Sequence, residues 1–146
     1  MQAVQIDELE LFEAWSQSDT GMRVRAGFPI SSGTGTKSTA VVYFELQRGE
    51  HLGSHTDSAE EILLILEGKG EATIGEEQAA VQAGTLAVVP ALTPHSVENI
   101  GEETLRVVGF FSSSTVLSVF DEPLEPFATR YFTTPMIEEE ARVTAA

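Results

Sequence analysis

The chain has 146 residues, a formal net charge of −15 and no cysteine. Its length and its 42% hydrophobic content are sufficient for one globular domain with its own core. The acidic charge argues against nucleic acids and anionic membrane surfaces as partners, because both would require clustered Lys and Arg. The lack of cysteine excludes disulfides, thiolate nucleophiles and Cys-ligated metal sites.

The first eight residues contain neither the basic nor the apolar part of a signal peptide. No apolar run approaches the ~20 residues of a membrane helix. We therefore expect a cytoplasmic protein without a membrane partner.

The N-terminal segment, residues 1–38, gives only weak signals. Residues 6–15 predict a short helix, since Leu9 and Phe12 follow Asp7 at helical spacing. The alternative there is a strand, which could pair with a partner subunit. Residues 31–38 predict a loop because they are almost all Ser, Thr and Gly.

Short strands separated by glycine turns follow from Thr39 onward. Val42, Phe44 and Leu46 alternate with other residues and predict one buried strand face. Residues 62–66 are apolar throughout and predict a strand buried on both faces. The predicted strands are residues 41–47, 62–66, 71–74, 80–82, 86–89, 96–97 and 105–111. This pattern predicts an all-β, antiparallel sandwich or barrel.

The C-terminal segment contains one more apolar stretch, residues 115–120, followed by Pro123, Pro126 and Pro135. The prolines predict an arm without long helices. The Glu138–Glu140 run predicts a solvated terminus. We interpret residues 1–146 as one domain, with a barrel core at about 39–112 and a C-terminal arm at 113–146.

The candidate functional residues are the histidines at positions 51, 55 and 95 and the carboxylates near them. In an extended chain His55 and Asp57 point to the same face. Glu60 and Glu61 open an apolar strand, so we expect one carboxylate to reach solvent and the other to point inward. His51 is either a surface histidine or, by strand parity with His55, an additional group at the mouth of the site.

Two segments resemble the paired motifs of the cupin superfamily. Gly49, His55, Glu61 and Gly68 have the spacing of the first motif, and Asp57 stands where that motif has its second histidine. Leu92 replaces the inner glycine of the second motif. The rest of that motif is matched by Gly84, Pro90, His95 and Asn99. A short predicted hairpin separates the two motifs, and the resemblance covers about residues 40–112.

This resemblance implies a jelly-roll β-barrel whose mouth holds one divalent metal ion. The implied ligands are His55, Glu61 and His95, with Asp57 as a further candidate. Two imidazoles and one carboxylate form a facial triad, a ligand set compatible with iron, manganese, nickel or zinc. We expect Glu61 to matter more than Asp57 for metal retention.

An electrostatic consideration also favours a cation. Asp57 and Glu61 would repel each other if both pointed into a barrel, and burial would remove their hydration. A divalent ion offsets both charges, whereas without one a carboxylate is pushed towards protonation.

The functional hypothesis is a metal-dependent enzyme acting on a small organic molecule, with a dioxygenase-like reaction favoured. The alternatives are a metal-dependent isomerase, decarboxylase or lyase, and a non-catalytic barrel that binds a sugar or another small molecule. Because cupins commonly pair, the resemblance also implies a homodimer.

Overall fold

The computed structural model describes residues 2–136, which form two six-stranded antiparallel sheets and two 3-10 turns. The Glu138–Glu140 run lies outside the described residues. No helix within residues 2–136 is long and apolar enough to cross a membrane. The strands are β1 Phe12–Trp15, β2 Arg23–Ile30, β3 Ala40–Leu46, β4 His51–Asp57, β5 Glu61–Glu67, β6 Lys69–Ile74, β7 Glu77–Gln82, β8 Leu86–Val89, β9 His95–Asn99, β10 Leu105–Phe111, β11 Val116–Leu124 and β12 Thr129–Thr134.

The two sheets enclose one main apolar core. The first sheet has the order β1-β2-β3-β10-β5-β8 and the second has the order β12-β11-β4-β9-β6-β7. The first cupin-like motif spans β4 and β5, and the second spans β8 and β9. In each motif the two strands lie in opposite sheets, so that β4 pairs with β9 in one sheet and β5 pairs with β8 in the other. This arrangement confirms the predicted all-β jelly roll.

Alternating burial along the strands builds the core. Val42, Phe44 and Leu46 on β3 are all buried, as the alternation predicts. The prediction for β5 is wrong in one respect, because its second face is only partly covered. Leu63 and Ile65 are buried, whereas Ile62 on the opposite face is 42% exposed.

The predicted helix over residues 6–15 is wrong. Only Ile6–Glu8 forms a single 3-10 turn, and β1 follows as a strand. This strand pairs with β2 of the same chain, with Phe12 opposite Ala26. An amphipathic spacing over so few residues is compatible with both a helix and a strand. Hydrogen bonding to β2 stabilises the strand, whereas so short a helix has little stability of its own.

The segment interpreted as an arm contributes two strands to the second sheet. β11 pairs with β12 and also with β4, so Ser118 lies opposite Asp57 and Phe120 lies opposite His55. The C-terminal segment therefore forms one side of the candidate site.

Glycine turns connect the motif strands as predicted. Gly49, Gly68 and Gly84 all have positive φ, the conformation that glycine adopts most readily. The hairpin between the motifs is β6–β7, with Ile74 opposite Glu77 across a two-residue turn.

Candidate metal centre

Three strands position the four predicted ligands. His55 and Asp57 lie on β4, Glu61 begins β5, and His95 begins β9. His55 and His95 are direct partners across the β4–β9 ladder. All four residues are buried, with exposures of 3–6%. The structure thus brings together every residue that the sequence proposed as a ligand.

His51 lies elsewhere, because a bulge interrupts the β4–β9 register between Leu52 and His55. An inserted residue reverses the inward and outward alternation of a strand. Leu52 is therefore buried with His55, while His51 lies at the surface with its Nε2 2.8 Å from Asp19 Oδ2. Of its two predicted environments, the surface one is confirmed.

Three ligand atoms form a compact set. One ligand atom each from His55, Asp57 and His95 lies within 4.8 Å of the other two. Asp57 Oδ2 is 3.0 Å from His95 Nε2 and 3.8 Å from His55 Nε2. Glu61 lies beside this set, with Oε1 3.6 Å from His95 Nε2. Asp57, the less certain residue on sequence grounds, is the carboxylate closest to both imidazoles.

Backbone carbonyls fix both imidazoles in the same way. His55 Nδ1 donates to the carbonyl of Gly53 at 2.8 Å, and His95 Nδ1 donates to the carbonyl of Thr93 at 2.9 Å. A carbonyl only accepts hydrogen bonds, so each Nδ1 carries a proton. In a neutral imidazole this leaves the Nε2 lone pair free to bind a metal.

β11 supports the site with two residues that the sequence did not indicate. The Ser118 hydroxyl donates to Asp57 Oδ1 at 2.6 Å, which leaves Oδ2 free. The Phe120 ring stacks on the His55 ring, with centroids 4.5 Å apart and planes at 16°. Neither residue belongs to a cupin motif, and only the β4–β11 pairing places them here.

Two buried atoms at the centre of the set have no hydrogen-bond partner, namely Asp57 Oδ2 and His95 Nε2. Their 3.0 Å separation does not have the geometry of a hydrogen bond. Leaving such groups unsatisfied is unfavourable, and each one in a native protein calls for an explanation. A cation bound between them would satisfy both, so the residues present fit a metal ion.

The pKa values of the two buried carboxylates shift in opposite directions. Burial raises the pKa of Glu61, and the nearby Asp57 carboxylate raises it further. Burial would also raise the pKa of Asp57, but the imidazoles of His95 and His55 and the Ser118 hydroxyl outweigh it and lower that pKa. One carboxylate is thus pushed towards protonation, as the electrostatic consideration predicts.

The pKa values of the two histidines shift in opposite directions. Burial lowers the pKa of His55 to about 4, with a further contribution from His95. Burial would lower the pKa of His95 as well, but the Asp57 and Glu61 carboxylates outweigh it and raise this pKa to about 10. Without a metal, His95 is therefore protonated on both ring nitrogens at neutral pH and carries a positive charge next to Asp57, while His55 is neutral.

Gly109 makes room for Glu61. A Cβ atom at Gly109 would lie 2.1 Å from Glu61 Oε2 and 2.9 Å from Val42 Cγ1. Any side chain on β10 at this position would therefore displace the carboxylate. The sequence alone did not reveal this role, because Gly109 lies outside both motifs.

The backbone conformation of Leu92 explains why the second motif normally has a glycine at this position. Its φ is +63°, in the left-handed region that is unfavourable for residues with a Cβ. Its amide donates to the Asp57 carbonyl at 2.8 Å, which ties this turn to β4. Asn99 holds the next turn as predicted, accepting from the Gly101 amide at 2.9 Å.

A cavity of about 80 Å³ adjoins the metal-ligand candidates. Its polar lining consists of the four candidates and Ser118, and the remaining lining is apolar. Six of the eight phenylalanines of the chain line the cavity, namely Phe12, Phe28, Phe44, Phe111, Phe120 and Phe132.

Two facing sheets with this buried donor group define a jelly-roll β-barrel with a candidate metal centre. Residues 42–111 match the family model described as "Cupin domain". The chain therefore contains a cupin domain over residues 42–111, as the motifs predicted.

Solved structures show the same fold. The oxalate decarboxylase of Lactobacillus farciminis, in a formate complex, superimposes with a TM-score of 0.64 at 20% identity, over 67% of this chain and 31% of that chain. The cupin domain of Schizosaccharomyces pombe Cnp3 has a TM-score of 0.62 at 18% identity, over 76% and 73% of the two chains. Bacillus subtilis oxalate decarboxylase, described with Mn(II) centres, has a TM-score of 0.61 at 23% identity, over 73% and 30%.

A sequence relative is an uncharacterised protein of Methanocaldococcus jannaschii, 41% identical over 51 residues. The match covers 35% of this chain and 41% of that protein. The chain thus spans less than half of this relative and about a third of the oxalate decarboxylases.

Proposed function

We propose that this protein binds one divalent transition metal ion and acts as a metal-dependent enzyme on a small organic molecule. His55 Nε2, His95 Nε2 and Asp57 Oδ2 would hold the ion, with Glu61 as a fourth ligand. The observation that carries this proposal is the pair of buried, unpartnered atoms, Asp57 Oδ2 and His95 Nε2. When bound, the metal would supply a Lewis acid or a centre for oxygen activation.

The residues around the ligands would keep this group in order. The Gly53 and Thr93 carbonyls orient the imidazoles, and Ser118 orients Asp57. The apolar lining would exclude water from the bound molecule. Two nitrogen donors with one or two carboxylates suit manganese, iron(II), nickel or zinc.

For the reaction we propose dioxygenation, because two imidazoles and a carboxylate match the facial triad of iron oxygenases. A second candidate is decarboxylation, favoured by the fold shared with oxalate decarboxylases. The homodimer and the cytoplasmic location remain predictions.

The test is to load the purified protein separately with Fe(II) and Mn(II) and measure turnover. Oxygen consumption with catechol-like and diketone substrates is expected from the iron form, and its loss in His95→Ala would support dioxygenation. Release of carbon dioxide from small carboxylic acids without net oxygen uptake would favour decarboxylation instead. Binding of a sugar by metal-free protein, without turnover in any metal form, would contradict the enzymatic proposal.

A further inference from the structure

We infer that the molecule bound beside the metal centre has one metal-binding head group and an apolar body, and carries no second anionic group. This inference rests on the proposed function and adds the chemical class of the ligand. It follows from how polar and apolar groups are distributed around the cavity.

The polar groups lie together in one part of the cavity lining. They are the coordinating group, His55, Asp57, Glu61 and His95, together with Ser118, which is hydrogen-bonded to Asp57. A ligand whose head group binds at the metal would therefore meet hydrocarbon with the rest of its surface. Ligand sites generally combine such an apolar lining with a few fixed polar groups.

A chain of aromatic rings extends from the metal centre along the cavity. Phe120 stacks on His55, and Phe132 meets Phe120 edge-to-face at 5.6 Å. Phe127 joins Phe132 to Phe12 through two further edge-to-face contacts at 5.4 and 5.6 Å. Phe28, which is half-buried, ends the chain 5.6 Å from Phe12. Four of these rings, those of Phe12, Phe28, Phe120 and Phe132, line the cavity and offer apolar surfaces to the body of a ligand, while Phe127 packs behind them.

A second carboxylate on the ligand would have no partner. No lysine or arginine lines the cavity in the described part of the chain. Arg130 comes nearest in sequence to the aromatic chain, but it is exposed and its Nε donates to the Phe120 carbonyl. A buried charge without a partner is strongly unfavourable. The acidic charge of −15 would also disfavour a dianion.

The test compares two probes of equal size in protein loaded with Co(II). 4-Methylpentanoate and succinate have the same number of non-hydrogen atoms, and differ in that an isopropyl group replaces one carboxylate. The visible spectrum of Co(II) reports head-group binding, and calorimetry gives both affinities. We expect 4-methylpentanoate to bind at least tenfold more tightly than succinate. Equal binding, tighter binding of succinate, or no binding of either probe to Co(II)-loaded protein would overturn the inference.

A matched pair of variants tests the cause of this preference. Phe28→Arg places a cation in the cavity lining at a half-buried position, and should strengthen succinate binding at least tenfold. Phe110→Arg makes the same substitution at an exposed position outside the cavity, and should leave both affinities unchanged. An equal gain in both variants would show that net charge, and not the lining, sets the preference. Should Phe28→Arg not fold, as judged by circular dichroism, the wild-type comparison decides alone.

Metal analysis distinguishes a failure of the proposed function from a failure of this inference. If the protein retains no Co(II), the proposed function itself fails and the inference falls with it. If Co(II) is retained and perturbed by succinate but not by 4-methylpentanoate, the metal site stands and the inference is wrong.

Discussion

Asp57 Oδ2 and His95 Nε2 face each other at 3.0 Å inside the barrel, and neither atom has a hydrogen-bond partner. The other polar atom of each side chain is anchored, Asp57 Oδ1 by the Ser118 hydroxyl and His95 Nδ1 by the Thr93 carbonyl. The second imidazole, His55, is anchored in the same way to Gly53. The protein thus fixes three side chains so that one donor atom of each converges on a common point.

Metal binding should release about one proton at pH 7–8. The pKa of His95 is raised to about 10, so this residue is protonated in metal-free protein and must lose its proton to coordinate. The apparent metal affinity should then rise about tenfold per pH unit between pH 6.5 and 8.5. Calorimetry in two buffers of different ionisation enthalpy measures the proton release. An affinity that does not change with pH would contradict it.

The same shifts give the sign of stability against pH in metal-free protein. The raised pKa of His95 contributes stability that is complete below about pH 6.5, its unfolded value, and is lost as pH rises through about 10. The lowered pKa of His55, about 4, contributes stability above about pH 6.5 that is lost as pH falls through 4.

Asp57→Asn should weaken metal binding more than Glu61→Gln does. The sequence favoured the opposite order, but Asp57 is nearer to both imidazoles, and Glu61 lies outside the compact set. Both substitutions preserve size and remove one charge. Titration of each variant with Mn(II) measures the difference, with Glu60→Gln as the exposed control next to Glu61. A larger loss in Glu61→Gln would restore the order expected from sequence.

Ser118→Ala should lower metal affinity by about 10- to 100-fold, the usual effect of removing a group that orients a ligand. Its hydroxyl holds Asp57 Oδ1, so its removal frees the carboxylate to rotate. The control is Ser112→Ala, an exposed serine between β10 and β11. Equal metal affinities in the two variants would show that Ser118 does not position Asp57.

Leu92→Gly should stabilise the fold by about 0.5–1 kcal/mol, because relief of left-handed strain exceeds the entropy that glycine adds to the unfolded chain. Little packing is lost, since Leu92 is 70% exposed. Leu86→Gly is the control, as Leu86 is 67% exposed but lies in β8 without a positive φ. Urea unfolding should move the two variants in opposite directions. Destabilisation of both would contradict the role assigned to φ.

The sequence predicted the barrel well wherever local pattern and motif agree. Glycine turns and alternating residues located β3, β8 and β10 to within about one residue. The partial exposure of the second face of β5 was not foreseeable, because an apolar run has no period and its environment depends on which strands cover it. β1 was ambiguous for a similar reason, since its spacing suited both a helix and a strand.

The candidate site was predicted as a set of residues but not as a geometry. Motif spacing identified all four candidates, and in the structure the β4–β9 pairing and the start of β5 bring these positions together. It did not show that a bulge in β4 separates His51 from His55. Nor did it show Ser118, Phe120 and Gly109, whose roles depend on strand pairings between distant segments.

The metal content of protein purified without chelator shows whether the buried imidazoles and carboxylates hold an ion. We expect close to one transition metal ion per chain in wild-type protein and in His51→Ala, whose substituted histidine is at the surface. His55→Ala and His95→Ala should fold, by circular dichroism, and should contain little metal. Metal-free wild-type protein, or equal metal content in all three histidine variants, would contradict the claim that these two imidazoles and their neighbouring carboxylates form a metal centre.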